Sequence, residues 1–124
     1  MPQMWEVVST IPFRDWLAAL PDAVAEAVAA RVLLLRQFGP QLKRPHADTL
    51  NGSKHTNMKE LRVSEAGQVI RVAFVFDPTR KAVLLVGGSK QGVKSKAFYA
   101  QLIGRADELY DEYLQSLKNT GGKK

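Results

Sequence analysis

Nine side chains that can bind an anion or move a proton lie in the middle and late parts of the chain. Lys54, His55 and Lys59 precede or open one apolar stretch. Arg62 and Arg71 lie within that stretch and the next. Lys90, Lys94, Lys96 and Tyr99 follow a third. Cleavage of RNA by its own 2′-hydroxyl needs three things: a group that takes the hydroxyl proton, a group that protonates the 5′ leaving oxygen, and cations on the pentacoordinate phosphate. Arginine suits the phosphate because its fork is bidentate and permanently charged. Lysine, histidine and tyrosine move protons when neighbours tune them. Each residue also has a plainer reading. Arg71 can pair with Glu60, Lys54 and Lys59 can be solvated, His55 can be an exposed loop side chain, and Tyr99 can cover the core at a helix start. By themselves these residues describe a basic RNA-binding domain.

Other chemistries are poorly supported. There are no cysteines, which removes disulfides, thiolate metal sites and cysteine nucleophiles. No P-loop run is present, and Gly87-Gly88 is too little for a dinucleotide fingerprint. His46 and His55 lack the spacing of a helical metal pair, so no metal and no cofactor are expected. Asp107, Glu108, Asp111 and Glu112 recur at helical spacing and read as a solvated helix face. Asp77 before Pro78 reads as a turn former.

The charge distribution favours a polyanionic partner. The 124 residues carry a formal net charge of +6, unevenly placed. Residues 41 to 105 hold twelve basic and four acidic side chains, whereas residues 106 to 117 hold four acidic and no basic ones. Nucleic acid is the simplest match to such a basic body. The length implies one domain, and 45% hydrophobic with 24% charged residues is ordinary globular usage. The start has no basic region before an apolar run, and apolar stretches such as Val32 to Leu35 are too short to span a bilayer. The expectation is a cytoplasmic protein with no membrane association.

The elements that must position these residues follow from periodicity. Met4 to Ser9 reads as a strand. Thr10 is an N-cap candidate, with Pro12 in the first turn of a helix through Phe13, Trp16, Leu17 and Leu20. Pro21-Asp22 opens a second helix over 22–38, with Val24, Val28, Val32 and Leu35 on one face, ended by Gly39-Pro40. Residues 40–57 read as a loop with a short extended piece near Thr49-Leu50. Strands are expected at Met58–Ser64, Val69–Phe76 and Lys81–Val86, the first two joined through a turn at Glu65-Ala66-Gly67-Gln68. A helix over 97–117 closes the domain, with Gly104 expected to kink or divide it. A single domain over residues 1–118 and a flexible basic tail over 119–124 complete this reading. The fold class is α+β, a small, mostly antiparallel sheet with helices packed on one side. Alternation puts Ile70, Val72, Phe74 and Phe76 towards those helices. It leaves Arg71 on a second face, where it must meet a carboxylate or an anion.

The stretches Leu50–His55, Asn57–Arg62, Arg71–Arg80 and Leu84–Lys90, with Phe98-Tyr99 and Ala106–Tyr110, together resemble the HigB-like branch of the RelE/ParE toxin superfamily. Many members of that branch are described as phage-derived proteins. The resemblance runs over almost the whole chain. It implies the RelE-like fold, a small antiparallel sheet flanked by an N-terminal helical hairpin and a C-terminal helix. It implies the toxin of a type II toxin–antitoxin pair, a ribosome-dependent mRNA endonuclease that inhibits translation without a metal. Its partners would be the ribosome, mRNA and a helix-turn-helix, HigA-like antitoxin that also binds operator DNA. Arg71 matches the strand arginine that contacts the scissile phosphate, Tyr99 the late tyrosine at the cleaved nucleotide, and Lys90 a basic residue after the last strand. Where RelE has two lysines on one strand face, this chain has Met58 and Glu60, so the general base is open among Lys54, His55 and Lys59. Lys59, Arg62, Lys94 and Lys96 are expected as nucleic-acid contacts. The same fold also allows a ParE-like gyrase poison or a non-catalytic nucleic-acid-binding module.

Overall fold

The computed structural model describes residues 4–122. Its elements are β1 (Val7–Ser9), α1 (Ile11–Ala18), α2 (Asp22–Phe38), β2 (Ala47–Thr49), β3 (Lys59–Glu65), β4 (Gln68–Phe76), β5 (Ala82–Ser89) and α3 (Ser95–Gly122), with a 3-10 turn at Gly39–Gln41 after α2. The five strands form one sheet in the order β1-β5-β4-β3-β2. The β2–β3, β3–β4 and β4–β5 pairs are antiparallel, and β1 joins β5 in parallel. This is the α+β class expected from the sequence.

Local signals account for most element boundaries. The Thr10 hydroxyl accepts from Phe13 N at 3.0 Å and donates to Leu85 O at 2.6 Å, so one side chain both caps α1 and ties it to β5. Ala66 and Gly67, between paired Glu65 and Gln68, both take positive φ. That is the requirement of a two-residue type I′ hairpin. The opening strand is shorter than expected because Trp5 N donates to Arg36 O at the end of α2, which draws that stretch towards the helix. The extended piece expected near Thr49 is the edge strand β2.

Two apolar clusters sit on opposite faces of the sheet. Phe13, Val24, Val28 and Leu35 of the helical hairpin meet Leu61, Val63, Ile70, Val72 and Phe74. Phe98, Leu102, Ala106 and Leu109 of α3 meet Met58, Ala73, Val75, Val83 and Leu85. The helices therefore cover both faces, which corrects the expectation of a one-sided packing. The cause is visible in β4, whose apolar residues occupy both parities around Arg71, the pattern of a strand buried on two sides. The helix α3 also differs from expectation. It is not divided at Gly104, and it continues past 117. Residues 119–122 of the expected tail are helical, while Lys123 and Lys124 lie outside the described residues. No helix among the described residues is long and apolar enough to cross a membrane.

Candidate active site

Strand alternation and register assemble the site. Arg62 of β3 is directly opposite Arg71 of β4, Glu60 is opposite Ala73, and Gly88 of β5 flanks Arg71 on the other side. Glu60, Arg62 and Arg71 share the face covered by α3, whose first turns add Phe98 and Tyr99. Arg71 is 7% exposed and Glu60 4%. Such burial of charge demands partners. The Arg71 Nε donates to the Tyr99 hydroxyl at 2.5 Å, and that hydroxyl donates to Glu60 Oε1 at 3.0 Å. Arg71 Nη1 donates to Val69 O at 3.1 Å. The direct Arg71–Glu60 separation is 3.8 Å, and Arg62 approaches the other Glu60 oxygen at 3.6 Å. The guanidinium also lies over the rings of Tyr99 and Phe98, at 5.5 and 5.7 Å from their centres.

Arg71 forms one wall of a cleft of about 380 Å³ that is also lined by the β3–β4 turn and by Lys90, Gln91, Gly92 and Val93. The Lys90 ammonium donates to Ser95 Oγ at 2.8 Å, at the first residue of α3. An anion entering this cleft meets two cations on separate segments, one buried and fixed and one at the rim.

The proton-carrying groups are tuned in a consistent direction. Burial pushes the Glu60 carboxyl above its ordinary value, against the opposing pull of the Tyr99 hydrogen bond and the Arg62 and Arg71 charges. Burial, then the Glu60 charge and hydrogen bond, push the Tyr99 phenol up, against Arg71. Glu60 is thus a buried carboxylate disposed to accept a proton, within one hydroxyl of the phosphate-binding candidate. Sequence reasoning treated it as a partner for Arg71 and as a departure from the family's lysine pair, not as a base. The signal available was its parity, since a carboxylate between Met58 and Arg62 on an inward face needs a reason to be there.

Lys54 and His55 occupy a different place. Ser53 Oγ donates to Asp107 Oδ1 at 2.5 Å, and Lys54 N to Asp107 Oδ2 at 3.2 Å. The Lys54 ammonium is 2.5 Å and His55 Nε2 2.9 Å from the Asp111 carboxylate. The His55 ring meets Tyr110 edge-on at 4.7 Å. This loop borders a hollow of about 290 Å³ that reaches Val75. Val75 is four residues along β4 from Arg71, about 13 Å away at the usual strand rise. The hydrogen bond and charge of Asp111 raise the Lys54 pKa, which keeps it an ammonium. Asp107 and Asp111 are therefore loop anchors, which corrects the reading of that acidic run as a merely solvated face.

The remaining sequence candidates divide by face. Arg62 joins the Arg71 cluster through Glu60. Alternation puts Lys59 with Leu61 and Val63, on the hairpin face. Lys94 and Lys96 are exposed at the entry to α3, beyond Lys90. Asp77 is a turn former as expected. Its carboxylate accepts from Thr79 N, Thr79 Oγ1 and Lys81 N, and also from the Tyr113 hydroxyl of α3 at 2.6 Å. Among the described residues, no three histidine or carboxylate side chains gather as a metal site would require.

Residues 15–111 match the family model described as phage derived protein Gp49-like. The chain is 39% identical over 110 residues to a Mycobacterium tuberculosis (strain ATCC 25618 / H37Rv) protein named "Putative toxin HigB2", a match covering 88% of this chain and 54% of that protein. This chain thus spans about half the length of that relative. It is 43% identical over 101 residues to a second protein of that strain, named "Putative toxin HigB3", covering 82% of this chain and 86% of that one.

Proposed function

The chain belongs to the phage-derived Gp49-like family and is a HigB-like relative of the toxins above, and from that premise we propose that it is the toxin of a toxin–antitoxin pair that acts as a ribosome-dependent mRNA endonuclease. The observation that carries the reading is the buried Arg71–Tyr99–Glu60 relay, whose Arg71 end lines a basic cleft with Lys90. Three roles of 2′-hydroxyl-driven cleavage find candidates there. Arg71 and Lys90 bind the non-bridging phosphate oxygens and hold the charge that grows on them. Glu60 takes the 2′-hydroxyl proton as the 2′-oxygen bonds to phosphorus. The bond from phosphorus to the 5′-oxygen breaks, and the Lys90 ammonium supplies a proton to that leaving oxygen. The products are a 2′,3′-cyclic phosphate and a 5′-hydroxyl end. Tyr99 sits between Arg71 and Glu60, so an arriving phosphate takes the place of its hydroxyl on Arg71, and the base role requires that hydroxyl to turn away from Glu60 as well. Lys94, Lys96 and Arg62 contribute sequence-independent attraction to the backbone.

The partners in this reading are the ribosome, mRNA and a helix-turn-helix antitoxin. Acidic segments of such an antitoxin have a basic body to neutralise, and the antitoxin would carry the toxin to operator DNA. The site of action is the cytoplasm.

The test is induction without the antitoxin, with mRNA 5′ ends mapped for wild type, Arg71→Ala and Glu60→Gln, each variant checked for a cooperative melt. Translation-dependent cuts at codon-related positions, lost in Arg71→Ala and reduced about 10²- to 10⁴-fold in Glu60→Gln, are the expected result. Growth arrest with intact mRNA overturns the reading and points to a gyrase-directed toxin. A fully active, folded Arg71→Ala protein overturns the site.

A further inference from the structure

Gly87 and Gly88 stand at the end of β5 and face opposite layers of the core. A side chain at Gly87 would run into Trp16 on the hairpin face, with a Cβ 2.4 Å from its ring. Gly88 faces the other way, towards α3, where a Cβ would press on the edge of the buried Phe98 ring, at 3.3 Å. Beside it lies a hollow of about 280 Å³ between β5 and the first turns of α3. Its walls include Val93, Phe98 and Leu102, and Gln101 and Arg105 also line it. Val93, itself 45% exposed, borders both this hollow and the Arg71 cleft. Phe98 is shared too, since the same ring that borders the hollow lies beneath the Arg71 guanidinium at 5.7 Å.

We infer that this hollow is a subsite for a single RNA nucleobase, the one flanking the phosphate bound at Arg71. The inference rests on the endonuclease reading given above and adds a recognition site to it. A flat heteroaromatic ring suits an open hollow lined by the apolar Val93, Phe98 and Leu102, with no side chain at Gly88. The Gln101 amide carries both a donor and an acceptor, which is what pairing with a base edge requires. Arg105, whose ion pair with Glu108 at 3.3 Å is exposed, can exchange that contact for the next phosphate. Continuity through Val93 and Phe98 sets the base beside the cleft. Gln101 is then a specificity-determining residue. It touches the base, whereas Arg71 touches the phosphate.

The test is the ratio of cuts among the four bases at each position flanking the cleavage point. It is read in a translating extract for wild type, Gln101→Leu and Gly88→Val. The ratio is insensitive to a general loss of activity. The expected result is a wild-type bias at one flanking position that falls by about ten-fold in Gln101→Leu, with the same position affected in Gly88→Val. Gln101 is exposed, so its variant stays informative if Gly88→Val does not fold. A wild-type bias unchanged in a folded Gln101→Leu protein overturns the subsite and leaves the endonuclease standing. Cutting by wild type without any bias does the same. Absence of cutting by wild type overturns both.

Discussion

Tyr99 is the residue on which the candidate site turns, because its one hydroxyl satisfies two buried charges. It accepts from Arg71 and donates to Glu60. Tyr99→Phe removes both bonds and leaves Arg71 and Glu60 already 3.8 Å apart, so a direct pair can close. The expected cost is about 1–2 kcal/mol, read from urea unfolding, because a pair remains instead of two orphaned charges. Glu60 gives a pH signature. Its pKa is raised by burial, and the base role needs its ionised form. Cleavage should therefore fall as pH drops through a value above the ordinary glutamate range, and Glu60→Gln should flatten that limb. Rates on purified ribosome complexes across the acidic side of neutrality check this. Arg71 was legible as a functional candidate because an arginine inside Val69–Phe76 contradicts its surroundings. The separation of Lys54 and His55 from it was not legible. It depends on Asp107 and Asp111, more than fifty positions away along the chain, and no periodicity announces such a contact.

Elements show the same division between local and distant information. The Thr10 cap, the hairpin turn at Ala66-Gly67 and the faces of β4 follow from nearby residues and were readable. The placement of α3 was not, because its apolar stripe fits either face of the sheet. Its docking is fixed by tertiary partners, among them the bond from Tyr113 to Asp77 at the end of β4. Burial of Asp77 works against its charge, but hydrogen bonds from Tyr113, Lys81 and Thr79 outweigh it and hold the carboxyl below its usual range. A depressed carboxylate contributes stability that is complete above its unfolded pKa and lost as pH falls through the folded value. Asp77→Asn should cost about 1–3 kcal/mol at neutral pH and remove that part of the acid loss, seen in urea midpoints measured from neutral to strongly acidic pH. Within α2, Leu35 is fully buried while Leu33 is 49% exposed. Leu35→Ala should cost about 2–5 kcal/mol and Leu33→Ala no more than about 0.5 kcal/mol in the same assay.

At the scale of the molecule, the sheet is the middle layer of three, and charge is distributed across it unevenly. Lys90, Lys94 and Lys96 extend a basic rim from the Arg71 cleft onto the start of α3, whereas Asp107 and Asp111 occupy its later turns. Single-stranded RNA binding should weaken steeply with salt. A Lys94→Ala, Lys96→Ala double variant should lower the slope of log affinity against log salt by about one to two units, without changing base preference. Titrations of a short RNA at several ionic strengths measure it. The basic body and the antiparallel trio of strands were legible from composition and alternation. The parallel return of β1 beside β5 was not, because three residues carry too little pattern to fix a partner.

The three layers are also labelled by nature with different chromophores. Both tryptophans belong to the hairpin side, Trp16 against the β5 backbone at Gly87 and Trp5 against Gly39 and Phe76. All three tyrosines, Tyr99, Tyr110 and Tyr113, are on α3, on the opposite side of the sheet. Indole fluorescence excited at the red edge therefore watches one layer, and phenol absorbance watches the other. If the two signals lose their native values together during denaturation, the sheet couples its faces into one cooperative unit. If the phenol signal leaves first, α3 is a separable lid whose docking can be weighed on its own, with no label added to the protein.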